Sequence, residues 1–260
     1  MDYLSVAIGI LIPLLGTSLG AGCVFFLKNS IGVKTQRALS GFAAGVMVSA
    51  SFFSLILPAI ELSSSLGKLG FLPASAGFAV GMCFIMVLDK TVPHSHVDKS
   101  EEGPQTGLKK TTKLILAVTI HNLPEGMAAG IIFAGWLYGH ENISLAGALA
   151  LSIGLAIQNF PEGAIVSMPL RAEGMSKGKT FFYGVLSGVV EPIGAVAVIL
   201  AASVLIPAMP YLLGFAAGAM IFVVIEELIP EMTEGEHSNI GTISFALGFI
   251  IMMALDIGLG

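Results

Sequence analysis

Two six-residue segments gather most of the groups able to do metal or proton chemistry. They are His121-Asn122-Leu123-Pro124-Glu125-Gly126 and Gln158-Asn159-Phe160-Pro161-Glu162-Gly163, identical at four of six positions. On a helix the first residue and the Glu of each segment are i and i+4, so both lie on one face. The Pro cannot donate to the carbonyl four residues back, that of Ile120 or Ile157, and kinks the helix there. In apolar surroundings the freed carbonyl needs another partner, which a cavity holding water or a cation would supply. Each element thus offers His or Gln, an Asn amide, a carboxylate and a loosened backbone. Imidazole with carboxylate oxygen suits Zn²⁺ or Fe²⁺, whereas Ca²⁺ and Mg²⁺ favour all-oxygen sites. One Pro in a membrane helix is an ordinary kink; two kinks carrying Glu at the same register are not.

Glu191, in Val190-Glu191-Pro192, is read as a third contributor. A charged side chain near a bilayer's centre costs at least about 2.5 kcal/mol and usually marks an ion path. Glu226 and Glu227 could line an exit path, or could snorkel to the interface. Glu61, Asp89 and Asp256 fall near span ends and are read as solvated there. A sign argument narrows the substrate. Glu125, Glu162 and Glu191 are deep, while every Lys and Arg lies in or beside a loop. Protons or a mobile cation must neutralise the carboxylates. Anionic substrates are excluded.

The elements that must position these residues are membrane helices. Of 260 residues 55% are hydrophobic and 11% charged, against about 25% charged in soluble domains. Apolar runs of the roughly 20 residues needed to cross a bilayer recur throughout. The reading is an all-α membrane protein, one polytopic domain over 1–260, with spans near 4–27, 36–61, 70–90, 112–137, 143–170, 180–205, 210–232 and 240–259. Eleven of the twelve Lys and Arg fall on one side of these spans, which by the positive-inside rule places both termini outside. Net charge is −5 and there is no basic patch of the kind nucleic acid would require. Cys23 and Cys83 lie in apolar segments and are read as packing thiols. Residues 91–110 form a polar, flexible cytoplasmic loop whose His94 and His96 could collect metal. GFAAGVMVSASFFSLILPAIE from Gly41 and GFAAGAMIFVVIEELIPEM from Gly214 repeat an opening motif. The two copies are five spans apart, so they run in opposite directions. Transporters place their sites where such inverted repeats meet.

The paired HNLPEG and QNFPEG elements, eight spans and a His-bearing loop between spans three and four resemble the ZIP (Zrt/Irt-like) metal transporters, in particular their bacterial GufA-like branch. The resemblance covers essentially the whole chain. It implies a 3+2+3 inverted-repeat arrangement and a multi-pass protein of the cell inner membrane. It also implies entry of Zn²⁺, with Fe²⁺, Mn²⁺ or Cd²⁺ as rivals, into the cytosol, the metal being a bound substrate rather than a catalytic cofactor. Spans one, four, five and six would move as an elevator against spans two, three, seven and eight, the scaffold of a homodimer. The primary metal site would be His121, Glu125, Gln158 and Glu162. A second would use Asn122, Asn159 and Glu191, with Glu125 and Glu162 bridging. Many relatives have His at the position of Gln158, and some with two metals have Asp at that of Asn159.

Two other functions fit parts of the pattern. An intramembrane metalloprotease also needs His and Glu in a membrane helix, but HExxH is absent and His121 is the one deep His. A proton-coupled carrier of organic cations would want aromatic rings near the carboxylates, and Phe160 is almost alone there.

Overall fold

The long apolar runs leave helices as the simplest way to satisfy their backbones inside a membrane, and helices dominate the computed structural model. It describes residues 2–26, 31–95, 101–139, 143–172 and 174–259. Eight helical segments are long and apolar enough to cross a bilayer: α1 Tyr3–Phe25, α2 Val33–Leu62, α3 Phe71–Thr91, α4 Ile115–Leu137, α5 Leu145–Arg171, α6 Lys177–Leu200, α7 Ala202–Thr233 and α8 Ile240–Leu259. Seven of these lie within five residues of the expected spans, while α7 begins eight residues earlier than expected, at Ala202. The loop after α3 opens with a short antiparallel ladder, β1 His94–Ser95 on β2 Glu101–Glu102. His96 lies outside the described residues, and only the backbone of His94 is described.

Packing is closest in four helix pairs, α2 with α8, α3 with α7, α1 with α5, and α4 with α6. Glycines make these seams, because the absence of a Cβ lets one backbone lie on another. Gly41 and Gly45 of α2 face Gly241 and Phe245 of α8, while Gly214 and Gly218 of α7 face Ala74 and Phe78 of α3. The GFAAG repeat is thus a packing seam used twice. Its partners repeat as well: Phe78-Ala-Val-Gly-Met-Cys-Phe-Ile-Met-Val-Leu-Asp89 and Phe245-Ala-Leu-Gly-Phe-Ile-Ile-Met-Met-Ala-Leu-Asp256 share one register.

A second shared feature follows each GFAAG. The helix widens into a π turn at Ser51–Ile56 in α2 and at Val224–Leu228 in α7. Pro58 and Pro230 sit just beyond and cannot donate to the carbonyls of Ser54 and Glu226, which favours the wider turn. Ser54 and Glu227 occupy matching positions in the two turns. Cys83 is exposed and Cys23 half-buried. Cys83 therefore faces outward instead of packing.

Candidate metal centre

The two Pro-Glu-Gly elements sit mid-helix in α4 and α5, and their terminal glycines decide what lies next to them. A Cβ on Gly126 would strike the backbone of Glu191, and one on Gly163 the carbonyl of Thr17. Gly126 thereby brings α6, and Glu191 with it, against the carboxylate of Glu125.

The polar side chains here are sealed from solvent. Glu125, Asn122, Gln158 and Asn159 are fully buried, and Glu191 is 1% exposed. The Gln158 amide donates to Glu125 Oε1 at 2.7 Å. Asn122 donates from Nδ2 to the Ser187 carbonyl at 3.2 Å. Thr17 donates from Oγ1 to Glu191 Oε1 at 2.9 Å. Asn159 lies between Glu125 and Glu191, close enough to influence both. Glu162 is half-buried and faces Glu125, Glu191, Glu227 and Glu231 electrostatically.

After these bonds are made, six buried atoms of these side chains have no hydrogen-bond partner among the described residues: the acceptors Asn122 Oδ1, Glu125 Oε2, Gln158 Oε1, Asn159 Oδ1 and Glu191 Oε2, and one donor, Asn159 Nδ2. A buried polar atom left unanswered costs about 1–3 kcal/mol, so one such atom is a defect. Five oxygens from three adjacent helices could together hold a cation. Carboxylate and amide oxygens with no soft ligand make a fairly hard site.

His121 is elsewhere. Its Nε2 pairs with Glu227 Oε1 at 2.8 Å, and Asp89 completes a trio whose ligand atoms all lie within 4.8 Å of one another. A His with two carboxylates is a reasonable transition-metal set in its own right. Of the residues singled out from sequence, Asn122, Glu125, Gln158, Asn159 and Glu191 therefore converge, with Glu162 beside them. His121 and Glu227 form a second group, and Glu226 is exposed.

Asp89 does not fit the expectation of interfacial solvation: it is 7% exposed, because its position near the end of α3 abuts α4 and α7. Asp256, its repeat counterpart, accepts from Ser54 Oγ at 2.5 Å. Ser54 and Asp256, but not Asp89, line a cavity of about 460 Å³ with Glu61, which is exposed. Phe160, the aromatic residue an organic-cation site would have used, instead lines an apolar groove with Leu19, Phe42 and Pro161. Thr17 and Asp89 were the functional neighbours missing from the sequence reading. The Phe78–Asp89 and Phe245–Asp256 repeat was the available signal for Asp89.

Comparison with known proteins finds relatives along nearly the whole chain. The family profile described as ZIP Zinc transporter matches residues 111–256, which include both Pro-Glu-Gly elements and Glu191. The chain is 37% identical to the zinc transporter GufA of Myxococcus xanthus, over 95% of this chain and 96% of that one. It is 39% identical to the zinc transporter ZIPB of Bordetella bronchiseptica, over 94% of this chain and 78% of the relative. With the human zinc transporter ZIP11 it shares 34% identity over 94% of each chain. A match of this extent, over the whole bundle and through the donor set, makes the chain a member of the ZIP zinc transporter family.

Proposed function

We propose that the protein carries divalent transition-metal ions, Zn²⁺ foremost, across a membrane into the cytosol. The observation that carries the reading is the set of five buried oxygens without donors, framed by carboxylates that no fixed cation neutralises. Glu125, Gln158, Glu162 and His121 form the primary site when His121 leaves Glu227. Asn122, Asn159 and Glu191 serve a second, weaker one. The Asp89–His121–Glu227 trio stands on the path out, with Glu226 at its rim and the His94 and His96 loop beyond it.

The bundle is a 3+2+3 inverted repeat, with both termini outside the cell's inner membrane. Matched glycine seams, matched π turns and the third repeat ending at Asp89 and Asp256 support this arrangement. The seams pair α1 with α5 and α4 with α6, and α2 with α8 and α3 with α7, so each pair falls within the elevator or within its scaffold. The scaffold helices α3 and α8 are the least buried of the eight, which suits a homodimer interface.

The test is uptake by the purified protein in liposomes, with Zn²⁺ as substrate, competing Fe²⁺, Mn²⁺ and Cd²⁺, and an imposed pH gradient. Saturable Zn²⁺ entry abolished by Glu125→Ala is expected. Peptide cleavage without metal entry would replace the transporter reading by a proteolytic one.

A further inference from the structure

Glu191 is held by a residue from a span that has no recognisable motif. Thr17 lies midway along α1, fully buried, four residues after Pro13. Its hydroxyl has two acceptors within reach, the Pro13 carbonyl at 3.5 Å and Glu191 Oε1 at 2.9 Å. The shorter bond is to a carboxylate, the stronger type of acceptor.

The repeat explains why this residue is here. Gly126 seats the backbone of Glu191, and Gly163, the same position in the other element, seats the backbone of Thr17. Three residues further along each partner helix, Gly194 faces Leu123 and Gly20 faces Phe160. Leu123 and Phe160 are again matching positions of the two elements. Thr17 is therefore in α1 what Glu191 is in α6, and the two counterparts touch where the repeats meet. Its side chain has little freedom: a Cβ on Gly188 would come within 3.0 Å of Thr17 Cβ, Cγ2 and Oγ1. A second carboxylate at position 17 would repel Glu191; a hydroxyl donates to it.

We propose that Thr17 is a positioning residue of the metal site, whose hydroxyl engages Oε1 of Glu191 and so leaves Oε2 for the cargo ion. The proposal rests on the reading of Glu191 as a metal ligand. Thr17 itself does not touch the metal. It adds no charge, so the donor set keeps its three carboxylates, and it prevents Glu191 from turning away or binding through both oxygens.

The experiment is calorimetric Zn²⁺ binding by the full chain in detergent, paired with liposome uptake, for Thr17→Val, Thr17→Ser, Glu191→Gln and the double variant Thr17→Val with Glu191→Gln. Val matches the shape of Thr, so the metal-free thermal midpoint should stay near that of the wild type. If Thr17→Val does not fold, Thr17→Ala takes its place with the same expectations. Thr17→Val should weaken Zn²⁺ binding about tenfold, as loss of a hydrogen bond to a charged group implies. Thr17→Ser should stay within about twofold, and Thr17→Val should add nothing once Glu191→Gln is present. Equal losses in the Val and Ser variants, or independent losses in the double variant, would reduce Thr17 to a packing residue and overturn the proposal. So would unchanged affinity in Thr17→Val beside a weakened Glu191→Gln. Wild-type binding by Glu191→Gln would instead overturn the assignment of Glu191 as a ligand.

Discussion

Asn159→Asp is the perturbation whose effect the charge balance of the site fixes best. Glu125, Glu162 and Glu191 supply three formal negative charges, and two dications would bring four positive ones. The first Zn²⁺ consumes two of the three, leaving about one charge for the second ion. Asn159 is fully buried and its amide lies close to the carboxylates of both Glu125 and Glu191. It can offer a carbonyl oxygen but no charge. A carboxylate in its place, about 4 Å from the doubly charged second ion at an effective dielectric of about 20, adds roughly 8 kcal/mol of attraction. Crowding a fourth carboxylate into the empty site consumes about half of that. A net gain of about 4 kcal/mol is close to a thousandfold tighter second site. Equilibrium dialysis at micromolar Zn²⁺ should find near one metal per wild-type protomer and a value moving toward two in the variant. The metal-free variant should also melt earlier, while Zn²⁺ raises its midpoint by more than in the wild type. Two tight ions in the wild type, unchanged by the substitution, would refute the charge accounting.

Three further outcomes can be checked with the same preparations. Glu125→Ala and Glu162→Ala should each abolish Zn²⁺ uptake while the protein stays monodisperse in detergent, since each removes a charge and a bridging ligand together; normal uptake by both would remove the central assignment. Where carboxylates lack a fixed counter-charge, metal and protons compete to neutralise them. Binding heats should therefore differ among buffers of different ionisation enthalpy, and identical heats would count against that exchange. Gly163→Ala should lower the thermal midpoint by the few degrees that about 1–3 kcal/mol of overpacking implies, because its Cβ meets the Thr17 backbone rather than a movable side chain. Gly258→Ala, with open space around it, is the control and should melt like the wild type.

The spans were legible because a membrane helix declares itself by local composition, and α1 to α8 fall close to the expected boundaries apart from the start of α7. The Pro-Glu-Gly elements were legible for a related reason: their ligands are neighbours in sequence and repeat in one register. What escaped is what depends on distant partners. Thr17 is a neutral residue in an apolar run, and its role comes from a bond to a residue 174 positions away. Asp89 reads as interfacial by its place at the end of a span, yet α4 and α7 close over it. The pairing of His121 with Glu227 could not be read either, since helix periodicity gives the face of α4 but not which of two acidic groups the ring reaches. The π turns left a trace in Pro58 and Pro230, which follow the two GFAAG copies at seventeen and sixteen residues from their first glycines and acquire meaning only when the copies are set side by side.

The repeat symmetry of the backbone is stricter than that of the chemistry. Glu125 matches Glu162, Asn122 matches Asn159 and Asp89 matches Asp256, so these six are equal in kind. The other pairs are not: His121 matches Gln158, Glu191 matches Thr17, and Glu227 matches Ser54. In each unequal pair the better metal ligand belongs to α4, α6 or α7. His121, Glu227 and Asp89 then gather at one end of the bundle, while the corresponding place at the other end has Ser54 and Asp256 beside a cavity. A cation would meet imidazole and two carboxylates at the first end, and one carboxylate and a hydroxyl at the second. Such asymmetry cannot drive net transport, because an affinity difference between sites raises no ion against its gradient and holds alike for both directions of travel. It sets where the ion dwells and which step is slow. Removing Glu227 should therefore change the rate of uptake and leave unchanged the concentration ratio at which net flux stops. A shift in that ratio would mean that Glu227 belongs to an energy-coupling step instead.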